Sequence, residues 1–413
     1  MQLKAKHIRQ TLATATCGLL AASVQVDVAH AKADEWEVNA SALFYKEIDR
    51  INVYEETLSL KKEIGDDEFV LFKRTHDILT GASPTGAAAP SSAQTSTTPS
   101  GSSVVNDAGR APLNEFQDIR TAFALTWQKP LDRLTKSTVT GNYSYEYDYV
   151  SFGASALFNQ DLESRKTTLN VGMSGNFDRV SPTGGGVPIG MEVTTNDTRY
   201  PSNDKVMVDG MFGVTQVMNR HSLLTATYMK GFSAGYLNDP YKRVSRLNLD
   251  GSPSGSEQFE NRPDWRDYNS MHLRLLHQRK DKKYNGDVVD ASYRYYWDDW
   301  RVTSHTFEGR YRQDYKKTKD KEYWQAHVRL YRQSAASFYT YGLPVSGTDP
   351  EYASADYRLA TLATATLGLL YGREVLKNVS VTVRGEFLHQ WYLGSPLEDL
   401  NALSVQGSLY YRF

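Results

Sequence analysis

Hydrophobic and polar residues alternate with period two along most of this chain. In the first such run Trp36, Val38, Ala40, Ala42 and Phe44 share one parity, and Glu35, Glu37, Asn39 and Ser41 the other. The last run sets Leu403, Val405, Gly407, Leu409, Tyr411 and Phe413 against Ser404, Gln406, Ser408, Tyr410 and Arg412. Successive side chains on an extended strand point to opposite faces, so each run predicts a strand with one apolar and one polar face. Sixteen runs recur, over 35–45, 53–64, 69–80, 118–127, 137–147, 151–160, 166–178, 207–217, 222–231, 267–278, 285–296, 301–313, 322–333, 355–371, 378–391 and 402–413.

The connections sort by parity. Those after even-numbered runs are short: Gly65–Glu68, Gln128–Lys136, Asp161–Arg165, Met218–His221, Arg279–Tyr284, Asp314–Lys321 and Gly372–Lys377. All four long ones, Gly81–Gln117, Arg179–Val206, Phe232–Arg266 and Ser334–Ser354, follow odd-numbered runs. A soluble sandwich has no reason to sort its loops this way, whereas a bacterial outer-membrane barrel has short periplasmic turns and long outer loops. The expected fold class is all-β, a transmembrane antiparallel up-and-down barrel of about sixteen strands. An even strand number puts both termini on the periplasmic side. Lipid offers no hydrogen-bond partner, so the sheet must close without an edge.

Aromatic residues lie near many strand ends: Trp36, Phe44, Trp127, Phe177, Tyr295, Trp297, Trp324, Trp391, Tyr411 and Phe413. Two girdles at the headgroup levels would place them so, although strands favour aromatics anyway. The terminal Phe413, with Tyr411 and Leu409 on its face, reads as the signal by which the barrel assembly machinery receives its substrates.

Composition narrows the class further. With 413 residues and a mean hydropathy of −0.53, the chain lacks the repeated runs of ~20 apolar residues that helical spans need. A pI near 6.8 argues against a polybasic nucleic-acid binder. The first residues are an address: Lys4, Lys6 and Arg9, a weakly apolar stretch from Thr11 to Val28, then small residues up to Ala31 and Ala33. We expect a signal peptide over 1–33, cleaved after Ala31 or Ala33, and an outer-membrane barrel over 34–413. The one cysteine, Cys17, leaves with it, which excludes disulfides and Cys-ligated metals from the mature chain. The mature net charge becomes −3, or −4 if Lys32 also leaves, from 47 Lys+Arg and 48 Asp+Glu in the full chain.

If the apolar parity faces lipid, the other parity lines the lumen. It holds Arg274, Asp290, Arg294, Glu308, Arg310, Arg312, His327, Arg329, Arg384 and Glu386, most of them on runs ten to thirteen. Such a wall either selects anions or orients a polar solute in its field, or knits the barrel through Arg–carboxylate pairs that also fix an internal loop. The Gly81–Ser103 stretch, nearly all Gly, Ala, Ser, Thr and Pro, predicts a disordered outer loop near 81–117; a gating loop folded into the barrel is the alternative. Asp298 and Asp299 in a Tyr-Trp-Asp-Asp-Trp turn could hold a divalent ion, or form a solvated turn. No His-Glu-x-x-His, Gly-x-x-x-x-Gly-Lys or Gly-x-Ser-x-Gly occurs, and Ser304 and His305 are adjacent, hence on opposite faces. His272, His277, His305, His327 and His389 are scattered over several runs. We expect no catalytic residues, no metal and no cofactor.

Four runs resemble a family of uncharacterised proteobacterial outer-membrane β-barrel proteins, a domain of unknown function. They are Asp77-Ile78-Leu79-Thr80-Gly81-Ala82-Ser83-Pro84 with Gly86, Tyr143-Ser144-Tyr145-Glu146-Tyr147-Asp148-Tyr149, Lys166-Thr167-Thr168-Leu169 and Tyr293-Arg294-Tyr295-Tyr296-Trp297-Asp298-Asp299-Trp300. The resemblance implies an outer-membrane barrel and no settled activity. It also implies association with a small lipoprotein or other extracytoplasmic redox partner. Two functions remain open: a polar-lined channel for small solutes, and a non-conducting barrel that sheathes or anchors such a partner.

Overall fold

The computed structural model describes residues 35–89, 94–97, 103–106, 111–183, 186–195, 198–279, 287–314 and 322–413. The expected leader over 1–33, Cys17 with it, lies outside them. Sixteen strands close into one antiparallel barrel. They are β1 (Trp36–Glu47), β2 (Ile51–Gly65), β3 (Glu68–Pro84), β4 (Leu113–Pro130), β5 (Thr135–Glu146), β6 (Tyr149–Asp161), β7 (Thr167–Val180) and β8 (Asn203–Asn219). The second half comprises β9 (Ser222–Gly235), β10 (Trp265–Arg279), β11 (Asp287–Asp298), β12 (Thr303–Asp314), β13 (Tyr323–Gln333), β14 (Leu362–Leu376), β15 (Val379–Tyr392) and β16 (Leu400–Arg412). Each corresponds to one of the sixteen alternating runs.

Closure is made by β1 and β16, in register from Glu37 opposite Arg412 to Glu47 opposite Ala402. The terminal residue completes the seam: Trp36 N–H donates to Phe413 O at 2.8 Å and Phe413 N–H to Trp36 O at 2.9 Å. No strand edge remains in the barrel, as a lipid environment demands. Apolar side chains stand exposed on the outside, among them Leu58, Phe72, Leu125, Phe152, Phe212, Leu273, Leu330, Leu369 and Val405. A soluble fold would bury such a belt; here it is the membrane-facing surface of a transmembrane barrel. Tyr411 and Phe413 stack at 5.2 Å on that surface.

At one end the strands join through tight turns. Asp67 and Asn378 supply left-handed positions, at φ 61° and 70°, in two of them. In another, the Asp132 carboxylate accepts from the Leu134 and Thr135 amides at 2.7 and 2.8 Å. At the other end β3 and β4 reach 17 and 18 residues, well beyond the ~9–11 that span a bilayer. They stand out as walls against which the long loops fold.

Two expectations are corrected here. The stretch near 81–117 is not a disordered loop throughout: β3 continues to Pro84, β4 starts at Leu113, and Gln94–Thr97 pairs with Ser103–Asn106. Ala87 and Ala88 are buried, the Ala88 amide donating to Ser245 Oγ at 2.8 Å. Gly86 sits at φ 90°, and a Cβ there would come 2.7 Å from Arg243 O. Small residues here serve close backbone packing, which composition cannot distinguish from disorder. Likewise 355–361 is not the start of a strand. Tyr357–Leu359 forms a 3₁₀ turn capped by Asp356, and its apolar residues face neighbouring loops rather than lipid.

Candidate functional site

The inner face of β10–β15 carries an ionic wall. Arg274, Asp290, Arg294, Glu308, Arg310, Arg312, His327, Arg329, Arg384 and Glu386 all stand on the parity opposite the exposed apolar residues Leu273, Val289, Phe307, Val328, Leu330, Val383 and Phe387. Arg274 grips Asp290 with two parallel bonds of 2.8 and 2.7 Å, the fork geometry that suits guanidinium to carboxylate. One rung along, Arg310 Nη1 lies 3.8 Å from Asp290 and its other nitrogen pairs with Glu308. His327 bridges two carboxylates, Glu308 at 3.1 Å through Nε2 and Glu386 at 2.9 Å through Nδ1.

Glu386 reaches His327 across β14 because the residue between them in the ladder is Gly368. A Cβ there would come 2.9 Å from the Glu386 side chain. Arg312 stacks on Tyr323 at 3.8 Å and bonds Asp314 at 2.8 Å. Among the described residues no carboxylate lies within ion-pair distance of Arg294, Arg329 or Arg384. The structure thus brings seven of the ten into direct pairs and leaves Arg294, Arg329 and Arg384 with no carboxylate in contact, within the field of Glu308 and Glu386.

Sequence reasoning missed two features. The first is an acidic arc: Glu55, Asp77 and Asp118 share the inner parity of β2–β4, and β4 and β12 lie half the sixteen-strand circuit apart. Asp77 is held by Arg120 at 2.9 Å. The same parity rule would have found them.

The second is a cap at the loop end. Arg243–Leu247 pairs with Pro253–Phe259 and, in parallel, with Gly342–Pro344. Val244, Leu343, Ala353 and Ala355 form a small core beside it. At its centre Arg262 bonds Glu260 at 2.8 Å and Asp356 at 2.7 Å, while Arg358 bonds Asp356 and reaches Asp239 at 2.8 Å. Glu260 and Asp356 are completely buried, and burial pushes the Glu260 carboxyl up to about 7, against the pull of Arg262. The cap is lashed to the barrel mouth. Gln333 Nε2 donates to the carbonyls of Arg358 and Ala360 at 2.8 and 2.9 Å. Tyr357 packs edge-on to Tyr392, which accepts from Arg50 at 3.0 Å. The Glu-x-Arg and Asp-x-Arg spacings of 260–262 and 356–358 were the available signal.

Asp298 is not a cation ligand in this arrangement. Its carboxylate pairs with Arg266 and accepts from Tyr296 Oη at 2.9 Å and the Val302 amide at 2.8 Å, while Asp299 is exposed. Among the described residues no group of three or more His, Cys, Asp or Glu side chains could hold a metal ion. Ser304 is buried inside, while His305 stacks outside between Tyr293 and Tyr295.

A profile of the family described as "Protein of unknown function (DUF3570)" matches residues 9–410, and the chain belongs to that family. No curated protein matches in sequence. Solved structures with some likeness include a "Bacterial polysaccharide outer membrane secretin", at 8% identity, TM-score 0.47, 92% of this chain and 99% of that one. CdiB from Acinetobacter baumannii overlaps at 7% identity and TM-score 0.48, over 91% of this chain and 60% of its own. Pseudomonas aeruginosa OccK3 (OpdO) overlaps at 8% identity and TM-score 0.41, over 92% and 95%. None of these likenesses informs the chemistry of the wall.

Proposed function

We propose that this DUF3570-family chain is a bacterial outer-membrane channel for small polar solutes with a preference for anions. The observation that supports it is an inner wall with six arginines against three carboxylates, on which Arg294, Arg329 and Arg384 have no carboxylate in contact. Unpaired cations beside water lower the energy of a passing anion, and low-dielectric walls focus their field. The short turns mark the periplasmic end, with both termini there, and the cap lies on the cell surface. Tyr411 and Phe413 then serve recognition by the assembly machinery, with Leu409 on the same face. No enzymatic role is proposed.

The test is reconstitution into planar bilayers under a salt gradient. We expect discrete conductance steps and an anion-directed reversal potential. Replacing Arg294, Arg329 and Arg384 together by Gln should abolish the preference with little change in conductance. Arg310 and Arg312, already paired, are the poorer targets. Unchanged selectivity would remove these side chains from the conduction path.

A second reading is favoured by the cap, which is bonded to the barrel mouth at several points. The barrel would then be a non-conducting sheath or anchor for a periplasmic or surface partner, such as a small lipoprotein of a redox system. Silent bilayers together with co-purification of such a partner under gentle extraction would favour it.

A further inference from the structure

We propose that the outer face of β1–β4 is a contact between copies of this chain, in which Arg74 of one copy pairs with Glu56 of the next. The inference rests on the barrel spanning a membrane, not on whether it conducts. Outward positions up β3 from the turn end are Val70, Phe72, Arg74, His76 and Ile78; their β2 partners in register are Lys62, Leu60, Leu58, Glu56 and Tyr54. The lowest rung is a headgroup rung: Lys62 lies 5.1 Å over the Trp36 ring, and Trp127 stands opposite Val70. Leu60 with Phe72 forms an apolar rung above it, and Tyr54 with Ile78 forms another at the far side. Arg74 therefore lies within the belt, about 13 Å along the strand from the Lys62 rung and as far from the Tyr54 rung, with Glu56 and His76 one rung nearer the latter.

A charge at that depth facing hydrocarbon is costly, and intramembrane ionic residues usually face protein or water. Arg74 faces neither within its own barrel. Its ladder partners are Leu58 and Phe123, both apolar, and it makes no hydrogen bond or ion pair among the described residues. Glu56 is exposed, and among the described residues only the Tyr54 hydroxyl bonds its carboxylate, at 2.8 Å. His76 is already bonded to Thr121 at 3.0 Å. Arg74 is two rungs from the Lys62 rung and two from the Tyr54 rung, where Phe44 stands in the other girdle, so it is the deepest of the three.

The occupant we commit to is a second copy, for two reasons. The patch holds one unmatched cation and one nearly unmatched anion a rung apart, so it can neutralise itself across a symmetric contact. Beside it the surface is flat: Ala42 lies between Glu56 and Gly407 in the same outer row, and Ala40 stands opposite Leu58 and Leu409. Two β-walls can approach closely there and exclude lipid from the ion pair.

The test uses the full barrel extracted in mild detergent, with mass measured by light scattering and folding checked by heat-modifiable gel mobility. The wild type should run as an oligomer. Arg74→Leu and Glu56→Gln should each shift it to a single-chain mass while the barrel stays folded, and the double exchange Glu56→Arg with Arg74→Glu should restore assembly. In a Cys17→Ser background, mixing Glu56→Cys and Arg74→Cys barrels should give a cross-linked product of two chains. A monomeric wild type, or an Arg74→Leu variant that stays oligomeric, overturns the proposal. So does a different protein, or a bound phospholipid, found on this face in place of a second copy. An intact oligomer with no conductance would sink the channel reading and leave this one standing.

Discussion

In the wall of β10–β15 the ionic side chains are partly exposed, and six arginines face three carboxylates among the ten residues described. In the cap the carboxylates of Asp239, Glu260 and Asp356 are at most 2% exposed, and each is in direct contact with Arg262 or Arg358. The two regions use the same residue types for different ends. Buried charges in direct pairs fix one arrangement of loops, because each partner removed strands another in low dielectric. Half-hydrated, unmatched guanidiniums contribute little to rigidity and leave a field in the lumen.

The sharpest way to break this contrast is to remove Asp356, the acceptor shared by Arg262 and Arg358. Asp356→Ala should open the cap at a cost of about 3–5 kcal/mol, the usual effect of stranding a buried charge. Hydrogen exchange should rise over 236–264 and 334–361 while the strands stay protected. Equal loss of protection in cap and strands would mean that the cap is not a separate cooperative unit.

A smaller effect follows from pH. Glu260 is raised from an ordinary 4.5 to about 7, by burial first, opposed by Arg262 and supported by Asp356 and Asp239. The closed cap holds this proton where the opened cap releases it. Its contribution to closure is therefore complete below about pH 4.5 and is lost as pH rises through about 7. Limited proteolysis of the cap loops should be slower at pH 5 than at pH 8, and Glu260→Gln should flatten that difference. A profile that is flat in the wild type would contradict the assignment.

The barrel was legible because one physical rule repeats sixteen times. Any strand between water and hydrocarbon must alternate, and a slip of one residue would reverse its faces. The inner parity of β12 could be read straight from Glu308, Arg310 and Arg312. The cap was not legible, because its bonds join distant positions: Arg358 and Asp239 are 119 residues apart. Within it Ala355, Tyr357 and Leu359 alternate as a strand would, yet they are buried among loops. The contact face on β3 was equally hidden. A polar residue at the lipid parity of one run looks like a break in pattern, and only the register shows that Glu56, Arg74 and His76 are neighbours.

The most direct test of the account is thiol scanning along β12 from residue 304 to 311, in a Cys17→Ser background, in native membranes with a bilayer-impermeant maleimide. Cysteines at 308 and 310 should label, those at 304 and 306 are buried inside and should label slowly, and those at 305, 307, 309 and 311 should be shielded by lipid. Labelling that ignores this parity would contradict a closed barrel with a watery interior.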